Sequence, residues 1–203
     1  MSTSTEDDSP SRPSGSYHHG NLRAALVEAG IVLLEEGTNG DFSLRELARQ
    51  VGVSANATYR HFASKDALMV AMAAEGFRRF TLALVEGAAC SEVQRERFLG
   101  AGRGYVGFAR KNPALFRLMF GRFTTTHQSE EMNDAAQFAF LALSHGVAGF
   151  LGAPVDDPRV RIASLQSWGL VHGLSHLILD GQVDEAEWGN IDELVATVLR
   201  PPA

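Results

Sequence analysis

The sequence has only one cysteine, Cys90, among its 203 residues. A single thiol cannot build a disulfide framework within the chain, so a disulfide-stapled secreted domain is excluded and a reducing cytoplasm is expected. The neighbours Ala88, Ala89 and Ser91 supply neither a second thiol nor an activating cation. We therefore expect Cys90 to be a passive thiol near a helix end.

Long apolar segments are absent as well. No hydrophobic run approaches the roughly 20 residues that cross a bilayer, and the first residues are acidic and polar, unlike a secretory signal. With 18 Lys and Arg against 24 Asp and Glu, the formal net charge is −6, which argues against a wholly basic nucleic-acid coat protein. A local basic face remains compatible with this charge, because the field that guides binding is local. We expect a cytoplasmic protein with no membrane contact.

Signatures of catalysis and of cofactor binding are missing too. The sequence contains no G-x-S-x-G elbow, no P-loop and no dinucleotide fingerprint, so we expect no enzyme activity and no cofactor. His172 and His176 are four residues apart, which is also the spacing of two metal ligands on one helix, but the run H-G-L-S-H lacks the glutamate of a zinc protease. Hydrogen-bonded core histidines are the simpler interpretation, and a metal-dependent helical-bundle enzyme is kept as an alternative.

The strongest local pattern is a pair of short predicted helices. Ser43 and Glu46 have the spacing of a capping box, which predicts a helix that begins there, and Gly52 supplies the left-handed residue that ends it. Ser54 is a second N-cap residue and predicts a short helix over about residues 55–62. Two short helices joined by a tight turn containing glycine form a helix-turn-helix, a motif that places its second helix in the major groove of DNA.

The second of these helices carries unusual side chains for a buried element. Small and hydrogen-bonding residues suit a close approach to base edges and phosphates better than a bulky apolar surface would. They are Ala55, Asn56, Thr58, Tyr59, Arg60 and His61. A solvated helical hairpin with no partner would gain little from them, so the pattern favours DNA binding.

These residues resemble the recognition-helix signature of TetR/AcrR-type repressors. The resemblance rests on Tyr59-Arg60-His61-Phe62 and Ser64-Lys65-Asp66 and covers roughly residues 17–75. It implies a homodimeric repressor that binds double-stranded operator DNA and is released when a small, largely apolar effector binds the C-terminal part. By position it implies base-edge contacts for Asn56 and Thr58, and phosphate contacts for Ser43, Arg45, Tyr59, His61 and Lys65, with Ser54 and Ala55 at the same interface.

Helical signals continue through the rest of the chain, and neither a strand pattern nor a fixed-period repeat competes with them. We predict an all-α fold of about nine helices. It would comprise a disordered tail over residues 1–16, a three-helix DNA-binding domain over 17–66, and a helical ligand-binding and dimerisation domain over 67–203. Residues 121–128 are predicted to be a loop, and one last helix is predicted to begin at Asp184 and to end before Pro201.

The last two predicted helices carry more apolar surface than one bundle layer can bury. Gly169 and Gly173 are four residues apart and leave a flat groove where another helix can come close. Pairing these helices with their copies across a two-fold axis would bury the surplus, although part of it is simply internal core. The predicted dimer interface comprises Leu165, Gly169, Gly173, Leu174, Leu194 and Val198.

A ligand cavity is predicted among the fifth to eighth of the nine predicted helices. Small-molecule sites are mostly apolar with a few polar anchors, although an aromatic stripe at helical spacing is usually core. The candidate lining residues are Tyr105, Phe108, Phe116, Met119, Phe120, Phe123, Phe138, Trp168 and His172. The run from Trp168 to Gly173 also resembles the WHG-type subgroup of these regulators. A bundle that responds to a protein partner and holds no small molecule is the other alternative.

Overall fold

The computed structural model describes residues 22–38 and 41–200, and every regular element in these ranges is helical, which confirms the all-α prediction. These ranges contain eleven α-helices: α1 Leu22–Leu33, α2 Leu44–Val51, α3 Ala55–His61, α4 Lys65–Ala88, α5 Gln94–Lys111, α6 Pro113–Phe120, α7 Arg122–Thr126, α8 Glu130–Leu151, α9 Pro158–Leu179, α10 Glu185–Trp188 and α11 Ile191–Val198. A π-helical turn, Leu34–Thr38, continues α1. The predicted tail over residues 1–16 lies outside the described residues. Across the described ranges, no helix is long and apolar enough to span a membrane.

Two segments hold more helices than the sequence predicts. The segment 121–128, expected to be a loop, contains the short helix α7. The last predicted helix is two helices, because Gly189 adopts a φ of 73° and turns the chain after α10. Asn190 then caps α11 by accepting the backbone N–H groups of Asp192 and Glu193. The described residues therefore form eleven helices where about nine were predicted.

The predicted caps around the short helix pair are present. The Ser43 hydroxyl oxygen accepts the backbone N–H of Glu46 at 3.1 Å, and the Glu46 carboxylate accepts the backbone N–H of Ser43 at 3.5 Å. Gly52 ends α2 with a φ of 76°. The Ser54 hydroxyl oxygen accepts the backbone N–H of Ala57 at 3.2 Å. These local bonds fix where α2 and α3 begin and end.

At two other helix starts the residue types suit a local side-chain cap, but none forms. Ser91 and Gln94 form no capping box, because α5 begins only at Gln94, behind Val93, which has no side-chain cap. The Asn112 side chain donates back to the Phe108 carbonyl and does not cap α6. The first turn of α6 is capped by a carboxylate from a distant part of the chain, described below.

Helix α4 is the element on which the N-terminal and C-terminal parts of the molecule pack. Near its start, Leu68 and Met72 meet Gly30 of α1. Further along, Gly76 faces Met119 of α6, and the last turns cross α5 and α8. A single 24-residue helix therefore connects α1 to the C-terminal bundle.

The last turns of α4 cross α5 through contact between the two backbones. A β-carbon added at Gly87 would lie 2.2 Å from the Gly100 carbonyl oxygen, and one added at Gly100 would lie 2.1 Å from the Gly87 carbonyl oxygen. At Gly104 an added β-carbon would meet the Ala83 carbonyl oxygen at 2.2 Å. Because no real β-carbon tolerates such distances, the two helices can pack this closely only with glycine at these three positions.

Gly100→Ala is expected to lower the free energy of unfolding by about 1–3 kcal/mol, because the added methyl group forces two helix backbones apart. Gly107→Ala in the same helix is the matched control, since no neighbouring group lies within 4 Å of its added β-carbon. The control should be stabilised by about 0.5–1 kcal/mol through helix propensity. Urea denaturation at one protein concentration measures both variants, and equal effects would contradict a tight crossing.

Candidate nucleic-acid interface and apolar cavity

The helix-turn-helix holds α3 so that one of its faces is buried and the other lies in solvent. The buried face contains Thr58, which is 0% exposed, and leads to Phe62, the C-cap residue, at 3%. On the opposite side Asn56, Tyr59 and Arg60 are exposed. Their amide, phenol and guanidinium groups can all form hydrogen bonds with base edges or phosphates.

The predicted base-edge contact of Thr58 is wrong. Ala55, Thr58 and Phe62 have the spacing i, i+3 and i+7, so they share the inward face of α3. The Thr58 hydroxyl is enclosed there and has no hydrogen-bond partner among the described residues. Ala55 is half-buried for the same reason. Helical periodicity is the signal that separates this inward residue from its exposed neighbours.

The two N-cap serines lie at the rim of the exposed face. Ser43 and Ser54 are both exposed, and their hydroxyl oxygens accept backbone N–H groups of α2 and α3. Each hydroxyl hydrogen can still be donated outwards, to a phosphate oxygen for example. The caps therefore stay compatible with the predicted phosphate contacts.

Cations surround the exposed face of α3. Arg45 and Arg49 are exposed on α2, and Arg60 is exposed on α3. Lys65, the first residue of α4, is half-buried, and its Nζ atom lies 5.3 Å from the centre of the Phe42 ring. This cation–π contact holds the Lys65 side chain over the Phe42 ring, just before α2. Arg49 and Arg60 extend the predicted set of contacts, and their positive charge within the motif is the signal that indicates them.

A cavity of about 230 Å³ lies between α4, α5, α6, α8 and α9. It is lined by Phe77, Phe80, Tyr105, Phe120, Ala136, Ala139, Phe140, Leu143 and Trp168. Three of the predicted candidates, Tyr105, Phe120 and Trp168, are among these residues. The lining residues of α4 and α8 were not predicted, because periodicity identifies the apolar face of a helix but not the neighbour that this face meets.

The other aromatic and methionine candidates do not line this cavity. Phe108, Phe116 and Met119 are buried in the surrounding core, and Phe123 is half-buried at its edge. Phe138 is wrong as a pocket residue, because it lies 66% exposed on the outer face of α8. Of the predicted lining residues, Tyr105, Phe120 and Trp168 therefore remain, and three different helices bring them to the cavity.

Tyr105 connects the cavity wall to His172 through its hydroxyl group. Trp168 donates its indole N–H to the Tyr105 oxygen at 3.1 Å, and this hydroxyl group lies 2.9 Å from His172 Nδ1. Burial raises the pKa of Tyr105, so the phenol keeps its proton. Burial and, to a smaller extent, the nearby His176 lower the pKa of His172, which favours a neutral imidazole. His172 therefore supports the wall from behind and does not line the cavity itself.

His172 and His176 pack together, with ring centres 4.7 Å apart. The Phe116 ring lies 5.6 Å from the first and 5.5 Å from the second. Within the part of the chain that the structure describes, no group of three or more His, Cys, Asp and Glu side chains could hold a metal ion. The pair is part of the aromatic packing around α6.

Among the described residues, exposed apolar positions lie along both α8 and α9. Leu165 is 59% exposed, and Gly169 and Gly173 are exposed with open space around them. Phe138 and Leu141 on α8, and Ile162, Leu170 and Leu177 on α9, are exposed as well. Exposed apolar residues that form a patch mark interaction sites in soluble proteins.

Three predicted interface residues pack within the subunit instead. Leu174 is only 6% exposed and belongs to the core, and Leu194 and Val198 are half-buried against that core. Helix α11 packs on α5, where Gly102 leaves room for Leu199. The last helix therefore completes its own bundle, and its apolar stripe is not left for a second copy.

A carboxylate from the N-terminal part caps the helix that reaches the cavity. Glu35, in the π turn after α1, accepts the backbone N–H groups of Ala114 at 3.1 Å and of Leu115 at 2.9 Å. Pro113 occupies the first position of α6 and has no N–H, so these two groups are the first donors of the helix. Phe120, at the other end of α6, lines the cavity. No sequence signal indicates this contact, since its partners are 79 and 80 residues apart.

Comparison with protein families gives two matches. Residues 26–72 match the model of bacterial regulatory proteins of the tetR family, and residues 98–200, half of the chain, match the tetracyclin repressor-like C-terminal domain. The narrower WHG-type subgroup stays a prediction. A comparison with curated proteins finds no match.

Solved structures show the same fold over most of the chain. A protein of unknown function from Rhodococcus sp. RHA1 is similar at 30% identity and a TM-score of 0.76, over 92% of this chain and 95% of that one. A tetR-family transcriptional regulator from Streptomyces coelicolor has 19% identity and a TM-score of 0.69, over 87% and 76% of the two chains. The fatty acid degradation regulator from Bacillus halodurans has 13% identity and a TM-score of 0.66, over 90% and 95%. The last two similarities concern the fold alone.

Thr58→Val should leave DNA affinity unchanged and raise the free energy of unfolding by about 1 kcal/mol, because it replaces a buried, unpaired hydroxyl with a methyl group of similar shape. Asn56→Ala, on the exposed face, should weaken DNA binding without lowering the free energy of unfolding, because alanine favours a helix more than asparagine does. Fluorescence anisotropy with a duplex selected by the purified protein, together with urea denaturation, measures both quantities. Equal losses of binding in the two variants would contradict the inward orientation of Thr58.

Proposed function

Because the chain belongs to the TetR family of bacterial regulatory proteins, we propose that it is a homodimeric repressor that leaves its operator when a small effector enters the helical bundle. Membership of this family makes the chain a DNA-binding transcriptional regulator and not an enzyme. The observation that carries the finer proposal is the rigid placement of α3, whose inner face is packed while its outer face is polar and flanked by cations.

In this proposal α3 lies in the major groove of the operator. Asn56 reads base edges, since a side-chain amide can form two hydrogen bonds with adenine, and the small Ala55 allows close approach. Phosphate contacts come from side chains around that centre, which hold α3 in register without reading sequence. They are Ser43, Arg45, Ser54, Tyr59, His61 and Lys65, joined by Arg49 and Arg60. Their support is exposure or position beside α3, together with the hydrogen-bonding chemistry of each group.

Two copies pair through the exposed face of α8 and α9. A palindromic operator has two half-sites, so it needs two DNA-binding domains. Their recognition helices must lie about 34–36 Å apart, one turn of DNA. Gly169 and Gly173 support this pairing, because their open surroundings let a second helix approach the backbone of α9 closely. Leu165 beside them supplies exposed apolar surface that the pairing removes from water.

The effector occupies the apolar cavity and favours a bundle shape that holds the two recognition helices at the wrong spacing. A ligand can shift this equilibrium only by binding one shape more tightly than the other. Two connections carry the change towards α3: helix α4, which Phe77 and Phe80 tie to the cavity wall, and α6, which Glu35 ties to the end of α1. The regulator acts in the cytoplasm, where its operator is.

The logarithm of the affinity for a selected duplex should fall linearly with the logarithm of salt concentration, with a slope of about −0.9 for each phosphate that is neutralised. Tyr59→Ala should weaken binding by about tenfold or more, because it removes a hydrogen bond to a charged group. Anisotropy titrations measure both effects, and light scattering reports the mass of the protein, which should stay that of a dimer.

Trp188→Ala is the control for this experiment, since Trp188 is an aromatic residue of similar exposure, 51%, on α10 in the C-terminal bundle. Its DNA affinity should equal that of the unaltered protein. A flat salt dependence, or a monomer that binds DNA as one copy, would overturn the proposed function.

Glu35→Gln should lower the free energy of unfolding by about 0.5–2 kcal/mol, because an amide accepts the two N–H groups of α6 less well than a carboxylate does. Hydrogen exchange at Ala114 and Leu115 should become faster, and DNA affinity should change with it. Glu36→Gln alters the exposed neighbouring residue and is the matched control. If hydrogen exchange at Ala114 and Leu115 is the same in both variants, α6 does not carry the effect of the ligand to α3.

A further inference from the structure

The chemistry of the cavity wall restricts what can enter. None of its nine lining residues carries a charge, and all except Tyr105 and Trp168 are hydrocarbon side chains. The volume of about 230 Å³ lies below the roughly 300–1,000 Å³ typical of pockets for drug-sized ligands. A compact molecule of one or two rings fits this space better than a long or branched one.

The polar groups in the wall are already bonded to protein groups. Trp168 has a single donor, its indole N–H, and this donates to the Tyr105 oxygen. His172 Nδ1 lies within hydrogen-bond distance of the Tyr105 hydroxyl and, in a neutral ring with the proton on Nε2, accepts its hydrogen. One lone pair of the Tyr105 oxygen is then the remaining hydrogen-bonding capacity of the lining side chains.

Nearby cations are also occupied. Arg78 and Arg79 follow the lining residue Phe77 along α4. Arg78 binds Glu75 and Glu131, and Arg79 also binds Glu75. An acid that entered the cavity would lose its hydration and would find neither a cation in the wall nor an unpaired one beside Phe77.

We propose that the effector is a compact, uncharged, mostly hydrocarbon molecule with one hydroxyl or N–H group, which donates a hydrogen bond to the Tyr105 oxygen. This inference rests on the proposed function, in which the cavity is the effector site. A phenol or a cyclic alcohol meets the requirement. A carboxylate presents only acceptors to an acceptor, and an ammonium ion finds no counterion among the lining residues.

A matched series of three compounds tests the chemistry: para-propylphenol, propylbenzene and para-propylbenzoate, at a pH where the phenol is neutral and the benzoate is ionised. The chain has two tryptophans, so Trp188→Phe leaves Trp168 as the only one, and its fluorescence then reports occupancy of the cavity. The phenol should bind about tenfold more tightly than propylbenzene through its added hydrogen bond. The benzoate should bind at least about a hundredfold more weakly than the phenol.

Two further variants test separately the hydrogen bond to Tyr105 and the space that the cavity offers. Tyr105→Phe should bring the affinity for the phenol down to that for propylbenzene, with propylbenzene unchanged. Ala136→Phe should block binding of both neutral compounds by filling the cavity. Asp134→Phe is its matched control, since it adds the same ring at an exposed position of the same helix outside the cavity, and it should bind all three compounds like the parent.

The proposal is overturned if the benzoate binds as tightly as the phenol, if the advantage of the phenol persists in Tyr105→Phe, or if none of the three compounds binds. DNA affinity and its salt dependence are measured on the same preparations without added compound. If DNA binding is normal when any of these results is obtained, the proposed class of effector is wrong and the proposed function is not affected. Loss of DNA binding in the unliganded protein would instead count against the proposed function.

Discussion

The contact between the backbones of α4 and α5 sets the position of the helix on which the rest of the molecule is arranged. Gly87, Gly100 and Gly104 allow a separation at which any β-carbon would collide with a carbonyl oxygen. At the other end of α4, Met72 fills the space left by Gly30 of α1. Close packing at both ends holds α4 as one element, because packed interiors do not deform continuously. The recognition helix and the cavity are therefore placed relative to one another by α4.

The ion pairs between the two parts of the molecule contribute less than this packing. Glu131 of α8 binds Arg23 of α1 and Arg78 of α4, and all three side chains are more than a third exposed. Exposed pairs of this kind are worth at most about 1 kcal/mol each, because water screens them. The Glu35 carboxylate differs, since it is half-buried and satisfies two backbone donors that have no partner within their own helix. This polar contact between the N-terminal and C-terminal parts therefore caps the first turn of α6.

The outer face of α3 is polar and the cavity is apolar, and each property has its own physical reason. The outer face of α3 can be polar because the helices packed against it, α1 and α2, leave only its Thr58 side buried. The cavity can be almost wholly apolar because its walls come from the inner faces of five helices, each of which buries hydrocarbon against its neighbours. The exceptions are Tyr105 and Trp168, which hydrogen-bond to one another, and with His172 accepting the Tyr105 hydrogen a single lone pair of the Tyr105 oxygen is left.

Features whose partners lie within one or two helical turns could be predicted from the sequence. The capping box at Ser43, the left-handed Gly52 and the Ser54 cap all follow from residue type and spacing, and with them the helix-turn-helix and the all-α fold. The inward direction of Thr58 is also a matter of local spacing, through its register with Phe62. Local stereochemistry is sufficient here, because each hydrogen bond closes within a few residues.

Only the tertiary structure decides which apolar residues meet one another. Leu174 and Leu165 lie on the same helix with similar side chains, yet one is buried in the core and the other is exposed. Phe138 and Phe140 are two residues apart, and only Phe140 lines the cavity. Glu35 gains its function from donors at the far side of the chain. Hydrophobic attraction has no preferred direction. The sequence by itself therefore determines that these leucines and phenylalanines are apolar and helical. The packing of whole helices determines what each of them touches.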